Sequence, residues 1–433
     1  MPRPRPEARK LRPSTATRIV AEAYPPHRLP PVSSHGVSGG GAPRTALIHD
    51  FLVSVRGADR VFLEICALWP DADIFTPVYD ERGTEGRFAD RRVHTSFLQR
   101  ARPTARTFRA MLPFYPAAIE SFDLSGYDLV VSSSSAWAHA VICEESTVHV
   151  SYCHNPFRYA WNERQRTLSE RADPVSRAML RGLFRRWREW DWIAAQRVAR
   201  YITNSRTTQA RIRAYFGRES GIVYPPVATD RFSPGPVGDH YLVVSELVSH
   251  KRIDVAIEAF NRLRLPLVIA GNGPDRRRLR RLAGPTIRFA GRVSDDEVAS
   301  LLSSCRALVV TAGEEFGIAA VEAQAAGRPV LARAAGGLLE NVVDGVTGRY
   351  WEGGADELAD AVAAFDPATV DPADCVANAR RFDSAVFREA FPREVEAALR
   401  EGPPERVEAW PRIPRRLPQA RRPGWGSKRL GAG

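Results

Sequence analysis

The sequence is poor in cysteine and has no cysteine pair at the close spacing of a zinc or redox site. Four of its five cysteines lie in apolar strand-like or helix-like stretches; the five are Cys66, Cys143, Cys153, Cys305 and Cys375. Scattered cysteines in apolar surroundings are typical of reduced, structural thiols. We therefore expect no zinc site.

Long apolar runs are also missing. No stretch approaches the roughly 18 consecutive apolar residues of a membrane-spanning helix. The Arg- and Pro-rich start has no apolar signal-peptide core either. These absences predict a cytoplasmic protein. At 433 residues, the chain is long enough for two or three domains, each with its own core.

The formal net charge of +12 belongs to the two ends of the chain. Residues 1–43 carry seven basic and two acidic side chains, residues 411–433 carry seven basic and no acidic ones, and the body between is neutral. Because both ends are rich in proline and poor in packable apolar residues, we predict disordered tails at 1–43 and 401–433. Their basic residues serve either solvation or attraction to anionic lipid at the inner membrane face. The neutral body argues against nucleic-acid binding.

The dinucleotide fingerprint G-x-G-x-x-G is absent as well. Residues 45–50 predict a buried strand, which is followed by a loop with Gly57 and by a helix from about Arg60. This is the first half-unit of a Rossmann-like fold, with its loop at the ligand-binding edge of the sheet. The acidic triplet 71–73 resembles a metal-binding D-x-D, but it precedes a predicted strand, and we attribute it to chance.

Strands and helices alternate through both halves of the chain, which predicts two doubly wound α/β domains. The Pro- and Gly-containing segment 233–239 is the best linker candidate. We place the first domain at 44–232, the second at 240–383, and a final helix at 384–400. Ser294 and Glu297 predict a capping box at the start of one helix of the second domain.

Two acids bracket a short helix in the second half. Glu314 lies in a loop after a predicted strand, and Glu322 lies inside a helix otherwise made of Ile, Val and Ala. The N–H groups of Phe316, Gly317 and Ile318 start that helix, and a helix N-terminus favours an anion such as phosphate. A single Glu is usually only a solvent-facing side chain. A lone acid among small apolar residues weakens that explanation.

The stretch CHNPFRYAW begins at Cys153, where a strand is predicted to end. Because Pro156 favours an extended residue before it, we expect the His154 imidazole at the carboxyl edge of the first sheet. Taken alone, such a histidine is more often a hydrogen-bonded core residue.

Residues 174–200 predict an amphipathic helix rich in Trp and Arg. Most such helices cover their own domain, and a minority lie at a membrane interface.

These motifs resemble those of retaining GT-B glycosyltransferases of family 4, the glycosyl transferases group 1. Seven residues separate Glu314 from Glu322 in the pattern E-x-F-G followed by E-A-Q-A-A-G-R-P-V, which is similar to the E-x7-E signature of that family. CHNPFRYAW resembles a subset that contains many bacterial polysaccharide mannosyltransferases. The resemblance implies an α/β protein of GT-B architecture, with two Rossmann-like doubly wound domains facing a central cleft. The first would bind the acceptor and the second the nucleotide sugar, with the final helix packing back on the first domain.

The resemblance also implies a hexosyltransferase that needs neither cofactor nor metal. The resemblance gives catalytic roles to two residues. His154 would position the sugar, and Glu314 would bind the hydroxyl groups of the transferred sugar. Glu322 would bind the ribose, Val293 would lie at the base, and Lys251 with the helix-start amides would meet the diphosphate. The implied donor-binding set is Gly57, Lys251, Arg252, Val293, Glu314, Phe316, Gly317, Ile318 and Glu322.

Two positions depart from the family pattern. Ala58 stands where a second glycine is usual, and Glu246 stands where the family has an arginine five residues before Lys251. Arg252 is the candidate substitute for that arginine. We expect a retaining enzyme that transfers a hexose, mannose from GDP-mannose, to a lipid-linked oligosaccharide or polysaccharide acceptor. The Trp/Arg helix and the tails would give it peripheral contact with an anionic membrane. The alternative is a weak or inactive GT-B protein that binds a nucleotide sugar.

Overall fold

The computed structural model describes residues 43–170 and 173–404. Both predicted basic tails lie almost entirely outside these residues. The described chain divides into two compact units. The N-terminal unit contains residues 43–226 and 385–404, and the C-terminal unit is Val227–Ser384. The predicted linker at 233–239 therefore lies within the C-terminal unit, a few residues after its start.

The N-terminal unit is built on a seven-stranded sheet in the order β3-β2-β1-β4-β5-β6-β7, with parallel pairing between neighbours. Its strands are β1 Thr45–His49, β2 Asp73–Thr76, β3 Val93–Thr95, β4 Leu129–Ser134, β5 Val148–Cys153, β6 Arg200–Thr203 and β7 Ser220–Ile222. The strand order reverses between β1 and β4. Open α/β sheets bind ligands at the carboxyl ends of the strands beside such a switch point.

The helices of this unit are α1 Gly57–Leu68, α2 Tyr115–Glu120, α3 Arg164–Ser169, α4 Pro174–Ala195 and α5 Arg206–Phe216. Aromatic residues dominate the core on one face of the sheet, where Trp137, Phe157 and Trp187 pack together. The other face is covered by α1 through Phe62 and Ile65. Helix α4 ends earlier than predicted, at Ala195, because the chain must reach the sheet again at Arg200 to form β6.

The C-terminal unit contains a six-stranded sheet in the order β10-β9-β8-β11-β12-β13, again parallel throughout. Its strands are β8 Tyr241–Val244, β9 Leu267–Ala270, β10 Ile287–Gly291, β11 Leu308–Val310, β12 Val330–Arg333 and β13 Gly348–Trp351. Its helices are α6 Ile253–Leu263, α7 Arg276–Leu282, α8 Asp295–Ser304, α9 Ile318–Ala325, α10 Leu338–Asn341, α11 Ala355–Ala364 and α12 Pro372–Ala379. The capping box of α8 is confirmed, since Ser294 N donates to Glu297 Oε2 at 2.7 Å and Ser294 Oγ accepts from Glu297 N at 3.3 Å.

The last helix, α13 Ser384–Glu401, contributes to the core of the N-terminal unit. Phe387 and Phe391 are fully buried and pack with Tyr152 of β5. An ion pair of 2.8 Å between Arg200 and Glu394 ties the helix to β6. Two parallel, doubly wound Rossmann-like sheets confirm the predicted α/β fold class.

All five cysteines are unpaired thiols, and Cys143 alone among them is only half-buried. Burial raises the pKa of Cys66 to about 12, so this thiol stays protonated and unreactive. Between residues 43 and 404, apart from 171 and 172, no helix is long and apolar enough to cross a membrane. The same residues contain no group of three or more His, Cys, Asp or Glu placed to hold a metal ion.

Candidate functional site

The candidate site lies at the carboxyl edge of the C-terminal sheet. After β11 the chain forms a loop through Glu314 and enters α9 at Ile318. Gly317 caps this helix with a φ of +92°, a left-handed conformation that glycine adopts without steric cost. The first amides of α9 have no partner within the helix, and the helix dipole adds partial positive charge there. The loop and helix start therefore offer a binding place for an anion.

Two of the predicted site residues are in direct contact. Lys251 Nζ lies 2.5 Å from Glu314 Oε2, and the two side chains are 23% and 19% exposed. They come from the loops after β8 and β11, which are neighbouring strands. Thr311 Oγ1 donates to the Lys251 carbonyl at 2.7 Å and so holds the two loops together. The structure thus joins a cation and a carboxylate that are distant in sequence at one edge of the sheet.

The Glu314 loop is supported by two glycines that sequence reasoning missed. Gly337 N donates to the Glu314 carbonyl at 2.8 Å. Gly336 has a φ of +72°, and a Cβ there would lie 2.1 Å from the same carbonyl oxygen. Only glycine allows the loops after β11 and β12 to come this close. The available signal was the Gly-Gly pair that directly follows a predicted strand.

A buried amide network also holds the start of α9. Asn341 Nδ2 donates to the Phe316 carbonyl at 2.5 Å. The Asn341 carbonyl accepts from Gln324 Nε2 and from Asn378 Nδ2, each at 2.8 Å. Because C=O and N–H of a trans peptide point in opposite directions, the Gly317 N–H is directed away from Asn341. Asn341 therefore orients an amide that the sequence assigns to the anion.

The other predicted donor residues of this unit lie on segments at the same sheet edge. Glu322 is buried in the middle of α9. Val293 is half-buried in the loop after β10 and packs against an apolar cluster. Arg252 follows Lys251, has a φ of +51° and caps α6. Phe316 is buried and its ring packs against Phe382.

A further cation, Arg333, stands at the end of β12 and was missed by sequence reasoning. Burial, followed by the positive charge of Arg252, lowers the pKa of Arg333 from its ordinary value. Arg333 Nη1 donates to the Gly353 carbonyl at 3.1 Å, and the guanidinium lies 5.6 Å from the centre of the Trp351 ring. Glu246 is half-buried in the loop that leads from β8 to Lys251.

The structure places the two remaining predicted residues in the N-terminal unit. His154 directly follows β5 and is 8% exposed, and its Nε2 lies 2.8 Å from Ser133 Oγ of β4. It is thus a buried, hydrogen-bonded histidine at the predicted sheet edge. Gly57 is exposed and begins α1, where the Asp59 carboxylate accepts from Arg56 N at 2.8 Å. The N-terminus of α1 is therefore already occupied by a carboxylate of the protein itself, that of Asp59.

Asp50 is a heavily hydrogen-bonded residue of this unit, and sequence reasoning gave it no role. It is 1% exposed. Its two oxygens accept four consecutive backbone amides, from Ser135 at 2.5 Å, Ala136 at 3.0 Å, and Trp137 and Ala138 at 2.7 Å. The carboxylate from the end of β1 thereby fixes the loop after β4 at the switch point. These amides are already used and do not serve a bound phosphate.

The tryptophans of α4 point into the protein, as in a helix that covers its own domain. Trp187 and Trp192 are 7% and 8% exposed, and Trp190 Nε1 donates to Glu120 Oε1 at 2.9 Å. The apolar residues on the outer face are instead Val175 and Met179, which are 66% and 72% exposed. Trp187 of α4 belongs to the aromatic core of the N-terminal unit.

Two family models match the chain, one in each half. Residues 236–382 match the family described as Glycosyl transferases group 1, and residues 55–231 match Glycosyltransferase Family 4. The chain belongs to the GT-B glycosyltransferases. The loop–helix site described above lies within the group 1 match, and His154 lies within the family 4 match.

Curated relatives of this glycosyltransferase match over part of their length. A GDP-mannose-dependent alpha-(1-6)-phosphatidylinositol monomannoside mannosyltransferase of Mycobacterium tuberculosis is 34% identical over 194 residues, which cover 36% of this chain and 49% of the relative. An uncharacterized glycosyltransferase of Methanocaldococcus jannaschii is 32% identical over 161 residues, which cover 35% of this chain and 43% of the relative. The chain thus spans less than half the length of these relatives.

Among solved structures, Anabaena HepE in complex with UDP and glucose has a TM-score of 0.59. The two proteins are 17% identical, and the match covers 82% of this glycosyltransferase and all of the Anabaena chain (100%). Likeness at this identity supports the shared fold.

Proposed function

We propose that this glycosyltransferase is a retaining enzyme that transfers mannose from GDP-mannose to a lipid-linked oligosaccharide or polysaccharide acceptor. The observation that carries the proposal is the contact of Lys251 with Glu314 beside the N-terminus of α9. A nucleotide sugar presents a diphosphate, which needs cations and amides, next to a sugar, which needs acceptors for its hydroxyl groups. The site offers cations and amides for the diphosphate, and a carboxylate for the sugar hydroxyls, at one edge of the sheet.

Each residue then has a separate task in the proposal. Lys251, Arg252 and the amides of Gly317 and Ile318 hold the diphosphate. Glu314 accepts hydrogen bonds from the sugar hydroxyls. The remaining roles follow the family resemblance: Glu322 binds the ribose, Val293 contacts the base, the Phe316 amide joins the diphosphate, Gly57 lies near a phosphate, and His154 positions the sugar.

The transfer breaks the bond between the anomeric carbon and the phosphate oxygen and forms a bond from that carbon to an acceptor hydroxyl oxygen. The electron pair of the broken bond stays on the diphosphate, whose charge the cations and the helix start stabilise. In the proposed front-face route, the departing phosphate oxygen takes the acceptor's proton, and the configuration is retained. Neither metal nor cofactor takes part in this proposal.

The choice of donor rests on the name of the Mycobacterium relative, which specifies GDP-mannose. The shared segment is short, so other donors are part of the test. The Anabaena structure was solved with UDP and glucose, which makes UDP-glucose the natural comparison.

Because the proposed acceptor is linked to a lipid, the proposal includes contact between the enzyme and a membrane. A lipid-linked acceptor keeps the enzyme near the inner membrane face. The outer face of α4 carries Val175 and Met179 together with exposed Arg181, Arg185 and Arg186. Basic side chains near an anionic surface contribute about 1 kcal/mol each. The basic ends of the chain add to this attraction.

A second candidate is a GT-B protein that binds a nucleotide sugar without turning it over. It is favoured by Glu246, an acid in the loop that leads to Lys251, and by Ala58 beside Gly57. In this case the diphosphate would be held too weakly, or too far from its productive position, for the sugar to be transferred.

The experiment is a donor screen with the purified full-length chain. GDP-mannose, GDP-glucose, UDP-glucose and UDP-galactose are each supplied with a bacterial lipid and glycan extract, and release of the nucleoside diphosphate is measured. We expect release from GDP-mannose that depends on the extract. Calorimetric binding of GDP-mannose without release would favour the second candidate, and neither binding nor release with any donor would contradict both.

A further inference from the structure

A groove of about 750 Å³ lies in the N-terminal unit and plays no part in the site described above. Its walls come from residues 79–86, which follow β2, and from residues 99–104, which follow β3. Both segments leave the carboxyl edge of the sheet, the edge where parallel sheets bind ligands. The volume falls within the range of about 300–1,000 Å³ that is usual for small-molecule sites.

Most of the side chains that line the groove are polar or charged. They carry the carboxyl groups of Asp80, Glu81 and Glu85 and the guanidinium groups of Arg82 and Arg102. No Leu, Ile, Val, Met or Phe is among the lining residues, so the groove lacks the aliphatic side chains that usually line a lipid site. Acids outnumber bases by three to two, which disfavours a phosphate. A ligand with many hydroxyl groups fits best, because each hydroxyl can both donate and accept.

The groove is held in shape by hydrogen bonds between its two walls. Gln99 Oε1 accepts from Tyr79 N, and Gln99 Nε2 donates to the Tyr79 carbonyl, both at 2.8 Å. Ser96 Oγ donates to the Pro77 carbonyl at 2.9 Å. Within one wall, Gly83 N donates to Asp80 Oδ1 at 3.1 Å. A preformed groove costs little ordering entropy when a ligand binds.

Two lining residues also have unusual backbone conformations. Arg102 has a φ of +48° and Glu85 a φ of +59°, in the left-handed region that side chains other than glycine rarely adopt. Such residues recur at ligand-binding positions, where the surrounding structure maintains the strain. In this case the conformation sets the direction in which a guanidinium and a carboxylate leave the chain.

We propose that this groove is a carbohydrate subsite that holds sugar units of the acceptor remote from the reacting hydroxyl. The inference rests on the proposed function, since it assumes a glycan acceptor. β2 and β3 lie one and two strand spacings from β1 and the switch point, a distance of about 5–10 Å. An acceptor whose reacting end lies at the switch point would therefore extend its further sugars toward the groove.

The test compares saccharide binding by two glycine variants of the full-length chain. Arg102→Gly removes the guanidinium from the groove, and Arg264→Gly removes an exposed one in the C-terminal unit. Both residues have a positive φ, +48° and +53°, so glycine fits each backbone equally well. Calorimetry with manno-, gluco- and galacto-oligosaccharides of increasing length should show affinity that rises with length. Arg102→Gly should weaken the longest ligand roughly tenfold, and Arg264→Gly should not.

A second variant, Glu81→Gln, keeps the shape of the side chain and removes its charge, and it should weaken the same ligand. The subsite is overturned if no oligosaccharide binds, if affinity does not depend on length, or if Arg264→Gly weakens binding as much as Arg102→Gly does. GDP-mannose binding by the wild-type protein is measured separately. Its absence would contradict the proposed function, whereas the difference in oligosaccharide affinity between Arg102→Gly and Arg264→Gly reports on the groove.

Discussion

Lys251 is the single lysine between residues 43 and 404, in a chain that otherwise uses arginine for its positive charges. An ammonium group is a compact charge with three donors, whereas guanidinium is a planar fork. At the candidate site the compact ammonium group lies 2.5 Å from Glu314, and the neighbouring Arg252 has a backbone φ of +51°. We infer that Lys251 can contact a phosphate oxygen and Glu314 together.

The first prediction concerns the charge of this lysine. Lys251→Gln should weaken GDP binding roughly tenfold to a hundredfold, because it removes a charge-assisted hydrogen bond to the diphosphate. Titration calorimetry with GDP measures the change. Arg264→Gln, at an exposed position away from the site, is the control and should bind as the wild type does. Equal affinity for GDP in Lys251→Gln would contradict the assignment of Lys251 to the phosphates.

The second prediction concerns the acid that departs from the family pattern. Glu246→Arg should tighten GDP binding several-fold, since it replaces a negative charge near the phosphates by a positive one. Glu246→Gln should give an intermediate affinity. The gain should shrink as salt is added, because this loop is only half-buried and its charges are screened. Weaker binding by the arginine variant would show that Glu246 faces away from the phosphates.

The third prediction is a pH dependence of stability that arises from His149. Burial, followed by the charges of His139 and Arg197, lowers the pKa of His149 from 6.5 to about 3. Below pH 6.5, His149 therefore binds a proton in the unfolded chain but stays neutral in the folded chain. This contribution to stability is complete above pH 6.5 and is lost as the pH falls, by about 1.4 kcal/mol per pH unit.

His149→Gln removes this titration, with Ser132 Oγ, 2.8 Å from the ring Nε2, left as its hydrogen-bond partner. Chemical denaturation of the N-terminal unit, followed by tryptophan fluorescence, should be compared at about pH 7.5 and pH 5.5. The wild type should lose about 1.4 kcal/mol more of its unfolding free energy than the variant does. Parallel losses in the two proteins would contradict the buried neutral imidazole.

At the scale of elements, the β11–α9 unit depends on contacts that its own sequence does not contain. The strand, the helix and their approximate ends follow from local apolar patterns and from glycine at the helix start. The position of Glu314 depends in addition on Gly336, Gly337 and Asn341, which lie after the next strand. These three residues hold the loop backbone without contacting the donor in our proposal.

The fourth prediction separates backbone strain from steric contact in this unit. Gly336→Ala should raise KM for the donor at least tenfold, because its Cβ would lie 2.1 Å from the Glu314 carbonyl oxygen and displace that loop. Gly345→Ala is the matched control, since Gly345 has a similar φ of +75° and no atom within 4 Å of the added Cβ. Both variants should lose about 1 kcal/mol of stability from the positive φ. An equal rise in KM would show that strain alone is responsible.

Features that depend on contacts between sequence neighbours could be predicted, whereas features that depend on contacts between distant residues could not. The capping box of α8 matches its predicted position, because neighbouring residues determine it. The sequence left open where Trp187 and Trp192 point, because a Trp/Arg helix has the same composition whether its rings face a core or a membrane. Asp50 and its four amides were missed, because their partners are more than 80 residues apart.

At the scale of the whole molecule, the net positive charge lies near the two ends of the sequence. The body is neutral, and the basic excess lies in residues 1–43 and 411–433. The candidate site therefore gains its positive charge locally, from Lys251, Arg252 and the start of α9. In our proposal, membrane attraction depends instead on the ends of the chain and on the outer face of α4.

The fifth prediction tests this separation. The full chain should co-sediment with vesicles that contain anionic phospholipid, and binding should fall as salt is added. A chain reduced to residues 43–404 should bind these vesicles much more weakly and should keep its affinity for GDP. Vesicles of neutral lipid are the control. Undiminished binding of the shortened chain would assign membrane contact to the folded units instead.

The central claim is that Glu314 and Lys251 form the donor site of an active glycosyltransferase. Its most direct test is the rate of GDP release from GDP-mannose with saturating acceptor extract, compared between Glu314→Gln and the adjacent Glu315→Gln. Loss of a carboxylate that contacts the reacting sugar should lower kcat about a hundredfold in Glu314→Gln. Glu315→Gln should stay within a few-fold of the wild type. Equal rates for Glu314→Gln and the wild type would contradict the claim.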